Sequence, residues 1–144
     1  MKYGEREFTF QLRNRINKIE QELRDVTMEL EQIYTPLFQK QNLDLFVKFE
    51  VTNGDHFDEG YESVVIIFIN DDMEGDMLDF YNVAVWKCSR TFLGIPLSKK
   101  IFGSKVIGEL VDESLSDIKV ELETYLDDFF RTSRLTVFFL EIFQ

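Results

Sequence analysis

Leu12, Ile16, Ile19, Leu23, Val26, Leu30, Ile33 and Leu37 follow one another in alternating steps of four and three. That spacing keeps one face of an α-helix apolar and predicts a helix over 5–34, a stretch without glycine or proline. Pro36 disfavours helical geometry at Thr35, so the helix is expected to end near Tyr34. The pattern is also a seven-residue repeat, the spacing of a coiled-coil seam. A helix of about thirty residues runs about 45 Å, whereas a nine-residue strand covers about 30 Å. Part of the apolar stripe should therefore overhang a sheet it packs on. The overhang needs a cover, either the C-terminal apolar segment of the same chain or a second copy. Ile16, Ile19, Leu23, Val26 and Leu30 are accordingly the expected dimerisation residues. The charges flanking the seam permit a parallel pair, since Arg15 precedes Glu20 by the five residues that bring opposite charges together.

Period-two runs follow. Leu43 to Val51 alternates apolar with polar positions, as a strand does, but Phe46 breaks the polar face, so that face is expected to be partly covered too. Tyr61 to Ile69 is almost continuously apolar and β-branched, the pattern of a central strand buried on both faces. Phe80 to Cys88 makes a third strand, and an antiparallel meander is the simplest way to join the three. Lys105 to Val111 fits a fourth strand at the edge of the sheet. Ser114 then caps a second helix running to about Arg131, with Leu115, Ile118, Leu122, Leu126 and Phe129 as its apolar stripe. Leu135 to Phe143 is apolar and fits a strand or a helix; it leans helical, because Leu135, Phe138, Phe139 and Ile142 share a helical face. The expected fold is α+β: an antiparallel sheet of three to four strands packed against a long N-terminal helix and a C-terminal helix, in one domain spanning 1–144.

Composition narrows the function. With 144 residues, 44% of them hydrophobic, and 15 phenylalanines, the chain is long and apolar enough to bury a core. The net charge of −11 repels phosphate backbones and anionic membranes, and it suits a basic partner. The lone Cys88 excludes an internal disulfide, and a buried thiol in a reducing cytoplasm is the expected setting. No secretory leader or membrane-spanning run is legible.

No motif supplies catalytic residues. Asn70 to Asp79 resembles a calcium loop as far as Gly75 in its sixth place, but Tyr81 stands where the bidentate glutamate belongs, so the segment is expected to be a solvated hairpin without metal. His56, the only histidine, has no evident nucleophile beside it, and His56 with Cys88 is too few ligands for zinc. No phosphate-binding glycine loop is present, and no cofactor is expected.

The expectation is a non-catalytic acidic module that binds a basic protein, in the manner of an immunity protein or a chaperone. Two acidic loops would supply its contacts: Asp55, Phe57, Asp58 and Glu59 in one, with Tyr61 beside it, and Asp71, Asp72, Glu74 and Asp76, with Phe80 and Tyr81 beyond them, in the other. The competing expectation is a small enzyme or ligand-binding domain. Its signature would be a buried polar group near Trp86, Cys88 or His56 with a cavity beside it. A mimic of nucleic acid is a third reading, and it needs carboxylates spaced like phosphates along one face.

Overall fold

The structure, a computed structural model, describes residues 1–142, the side chains of 134–141 excepted. Helix α1 spans Phe10–Gln39 and begins later than the expected start at residue 5. Thr9 is the reason: its Oγ1 accepts from the Leu12 N–H at 3.2 Å and caps the first turn. The residues before it form a short strand, β1 (Lys2–Gly4), and a 3-10 turn at Glu5–Glu7. Helix α1 also runs through Pro36 rather than ending before it. The proline forfeits one helical hydrogen bond, but fully buried Phe38 holds the last turn against Phe129 and Phe130. Along the same turns Ile33 and Leu37 rotate outward while Tyr34 and Phe38 turn in. A straight helix has 3.6 residues per turn, so a seven-residue stripe drifts by about 20° per repeat.

The sheet is antiparallel and larger than the three to four strands expected. It contains six: β1, β2 (Leu43–Val51), β3 (Glu62–Asp71), β4 (Met77–Phe92), β5 (Ile95–Leu97) and β6 (Lys105–Leu110). The order is β1-β6-β4-β3-β2, with β5 paired to the far end of β4. The β2-β3-β4 meander is as expected. The middle position, however, belongs to the long β4, and β6 is covered at its outer side by β1 instead of forming the edge. Three-residue strands such as β1 and β5 are too short to show a period in sequence.

Both helices lie on one face. Leu23, Val26, Leu30 and Phe38 of α1 join Ile118, Leu122 and Leu126 of α2 (Leu115–Ile142) over Leu45, Val47, Val65, Ile67, Ile69, Val83 and Val85 of the sheet. Helix α2 starts with the Ser114 hydroxyl accepting from the Asp117 N–H at 3.2 Å. It continues to Ile142 without the break expected near Arg131, while Phe143 lies outside the described residues. A second, smaller core gathers Leu12, Ile16, Tyr61, Trp86, Cys88, Val106 and Leu110. A bulge in β4 links the two cores. Ser63 pairs with Trp86 but Val64 pairs with Ala84, so Val85 is the extra residue, and Val85 and Trp86 are both buried.

Candidate functional site

The meander leaves one surface uncovered. Val65, Ile67 and Ile69 are fully buried under the helices, yet Val64, Ile66 and Phe68, on the opposite face of β3, are only half-buried. The expectation that β3 is buried on both faces is thus half met. Cross-strand register sets Phe46, Phe68 and Phe80 in one row across that open face. Phe46 and Phe68 stack with ring centroids 4.4 Å apart, and Phe80 remains 49% exposed. The edges of the sheet, by contrast, are blunted. At the β2 edge the Val47 N–H donates to Glu31 Oε2 at 2.9 Å, and Lys48 Nζ reaches the other oxygen of the same carboxylate at 2.9 Å. At the opposite edge β1 offers only three residues. Charge at an edge and brevity of an edge strand both discourage further strand pairing. The face is therefore more open to contact than the edges.

The 72–76 turn joins β3 to β4 at one end of this face. The Asp71 N–H donates to the Asp76 carbonyl at 2.8 Å and the Gly75 N–H to the Asp71 carbonyl at 2.7 Å. Gly75 takes φ +74°, a conformation that suits glycine. Among the described residues, none of Asp71, Asp72, Glu74 and Asp76 forms a salt bridge with a cation. Asp44 lies beside them, and its carboxyl is raised above the usual range by burial and then by Asp72. Met73, Met77 and Leu78 add exposed apolar area at the same end.

The other acidic loop is at the opposite end of β3, about 30 Å away for a strand of this length. The two loops therefore do not form one surface. The carboxylates of this second loop are also engaged. Arg13 pairs with Asp55 and stacks over Phe57 at 4.6 Å, while Arg90 holds Glu59. Each cation, through its hydrogen bond first, keeps its carboxyl below the usual range. Asp58 accepts from the Asp55 N–H at 2.9 Å. Phe57 packs on Phe8 and Trp86, so it belongs to the small core. Tyr81 likewise stacks on Tyr125 and donates to Glu121 on the helix side of the sheet. Sequence reasoning put the aromatic contacts on Phe57, Tyr61, Phe80 and Tyr81; of these Phe80 lies on the open face, where Phe46 and Phe68 join it, while Tyr61 is buried in the small core. The Phe46 and Phe80 signal was present as apolar residues at polar-face positions of otherwise alternating strands.

The seam residues of α1 are core residues. Ile16, Leu23, Val26 and Leu30 are buried within the chain and Ile19 packs against both cores, because the sheet takes the place of a partner helix. No apolar seam is left on α1 for a parallel coiled coil.

One polar constellation is internal. Glu20, 5% exposed, accepts from Tyr61 Oη at 2.8 Å and contacts His56 Nε2 at 2.6 Å. Trp86 Nε1 donates to the His56 carbonyl at 2.7 Å, and the Cys88 thiol lies 3.5 Å from the Phe57 carbonyl. This supplies the buried polar group of an enzyme or ligand site. Five surface clefts are lined elsewhere, by Arg24, Met28 and Phe49, by Tyr3, Gln11 and Arg15, by Glu7 and Lys105, by Lys87 and Asp112, and by Thr91 and Gly94. Glu20 spends its hydrogen bonds pinning the 52–61 loop to α1. Among the described residues no group of three or more His, Cys, Asp or Glu is placed to hold a metal ion, and no helix is long and apolar enough to cross a membrane.

Compared with family models, curated proteins and solved structures, the chain matches none.

Proposed function

We propose that the chain is a non-catalytic protein-binding module, and that a basic protein docks on the open face of its sheet, held as an immunity protein or chaperone holds its partner. The observation that carries this reading is the half-exposed Phe46–Phe68–Phe80 row beside a turn whose carboxylates lack cations. Exposed aromatic side chains on a rigid sheet are suited to anchoring a contact, since little conformational freedom remains to be lost. Unpaired carboxylates at the rim attract a cationic surface and speed its approach. The net charge of −11 acts in the same sense at longer range. The other acidic loop, its charges already paired with Arg13 and Arg90, contributes to the fold.

Comparative capture tests this. The native chain, Phe80→Asp, and a neutralised turn (Asp72→Asn, Glu74→Gln, Asp76→Asn) would be used as bait in extract of the source cell. A basic protein should be retained by the native chain, lost by Phe80→Asp and held more weakly, with less salt sensitivity, by the neutralised turn. Retention of the same proteins by all three baits would refute the reading.

A further inference from the structure

We infer that the basic protein offers this face a single amphipathic helix, laid along β3 with its N-terminal end over the 72–76 turn. The inference rests on reading the open face as the docking surface. It adds the shape and the direction of what docks there.

Cross-strand register lays the face out in rows. Next to the Phe46–Phe68–Phe80 row come Lys48–Ile66–Asn82 and then Glu50–Val64–Ala84. Phe68, Ile66 and Val64 of β3 thus form a half-buried apolar strip, flanked by Lys48 and Glu50 on β2 and by Asn82 on β4. The two ends of the strip differ in charge. Past Val64, the residues Glu62, Lys87, Glu109 and Lys2 follow one another across β3, β4, β6 and β1, so opposite signs alternate and offset one another. In the 52–61 loop beyond that row, Asp55 and Glu59 are paired with Arg13 and Arg90. At the Phe68 end, the carboxylates of the 72–76 turn have no such cations among the described residues.

An extended strand is a poor occupant of this face. The backbone groups of β3 are spent on β2 and β4, so a strand lying on top would leave its own unpaired. The occupant must satisfy its own backbone and reach down with side chains, as a helix or a second sheet does. Width decides between these two. Three strands at about 4.8 Å spacing put β2 and β4 about 10 Å apart, the diameter of one helix. A sheet of several strands would also cover the exposed Lys48, Glu50, Lys87 and Glu109 and take their charges out of water. A helix carries partial positive charge at its N-terminus, so the carboxylates at the turn favour that end. The reverse direction would set its negative end against them.

Photo-crosslinking tests shape and direction together. p-Benzoylphenylalanine in place of Phe68, and separately in place of Val64, would be irradiated in extract of the source cell, and the marked residues of the partner located by mass spectrometry. The two positions are four residues apart on β3, about 13 Å, which a helix spans in about nine residues and an extended chain in about four. Both variants should mark one segment of one basic protein, with the Val64 mark about nine residues C-terminal to the Phe68 mark. That segment, made as a peptide, should bind the native chain and lose more than about tenfold in affinity when proline replaces its central residue. Marks about four residues apart, marks in the reverse order, marks on separate segments or a peptide indifferent to proline would each overturn the helix. If the marked protein is basic and is lost by Phe80→Asp, those results leave the proposed function standing. Marks on no basic protein would refute both.

Discussion

Gly108 on β6 lies against the six-membered ring of Trp86 so closely that a Cβ there would sit 2.0 Å from the indole Cη2. Trp86 has no room to retreat, being fully buried and tied by Nε1 to the His56 carbonyl. Gly108→Ala should therefore destabilise the chain by about 3 kcal/mol, the upper range for overpacking a core. Chemical denaturation measures it, and an unchanged midpoint would show that the indole can shift.

Glu20 is the keystone of the small core's polar contacts. Glu20→Ala strands the buried Tyr61 hydroxyl and removes the contact of the half-buried His56, and should cost about 1–3 kcal/mol by chemical denaturation. Combining Glu20→Leu with Tyr61→Phe removes donor and acceptor together, so it should cost less than the sum of the single changes. Additive losses would mean that the two groups do not depend on each other.

The helix–strand order and the β2-β3-β4 meander were legible because long elements repeat their pattern many times. What escaped the sequence was either short or decided by packing between distant segments. Strand β1 has three residues, and Pro36 is overruled by Phe38, whose aromatic partners come from α2. The acidic turn could be read from sequence. That its carboxylates lack cations, while Asp55 and Glu59 have theirs, depends on Arg13 and Arg90, residues some forty and thirty positions away along the chain.

Four tyrosines set an alkaline limit to stability. Tyr34, Tyr61 and Tyr125 are raised above the ordinary phenol range by burial and then by their bonds to Asp127, Glu20 and Asp79, and Tyr81, chiefly through Glu121, is pushed up to about 12. An acid whose folded value is raised contributes stability that is complete below its unfolded value, here 10.0, and is lost as pH rises through the folded value. Stability should hold to about pH 10 and fall steeply above it. Phenolate absorbance should appear together with the loss of circular dichroism; phenolate signal from all five tyrosines in a still-folded chain would contradict this.

Cys88 is fully buried, and burial first, then Glu59, pushes its thiol up to about 11. At neutral pH a thiol reagent should label it only as fast as the chain opens, with a rate rising in denaturant along the unfolding curve. Rapid labelling of the native chain would place Cys88 on a surface and reopen the case for a reactive site.

Hydroxyl-radical footprinting tests the open face most directly, because it reads side chains on both sides of the molecule at once. Met73 and Phe80 mark the open face and its turn, while Phe10 and Met28 are exposed on the outer side of α1. All four should be oxidised in the free chain. In the complex with its captured basic protein, Met73 and Phe80 should be protected while Phe10 and Met28 keep their free rates. Protection of Phe10 and Met28, with Met73 and Phe80 still oxidised, would contradict the account.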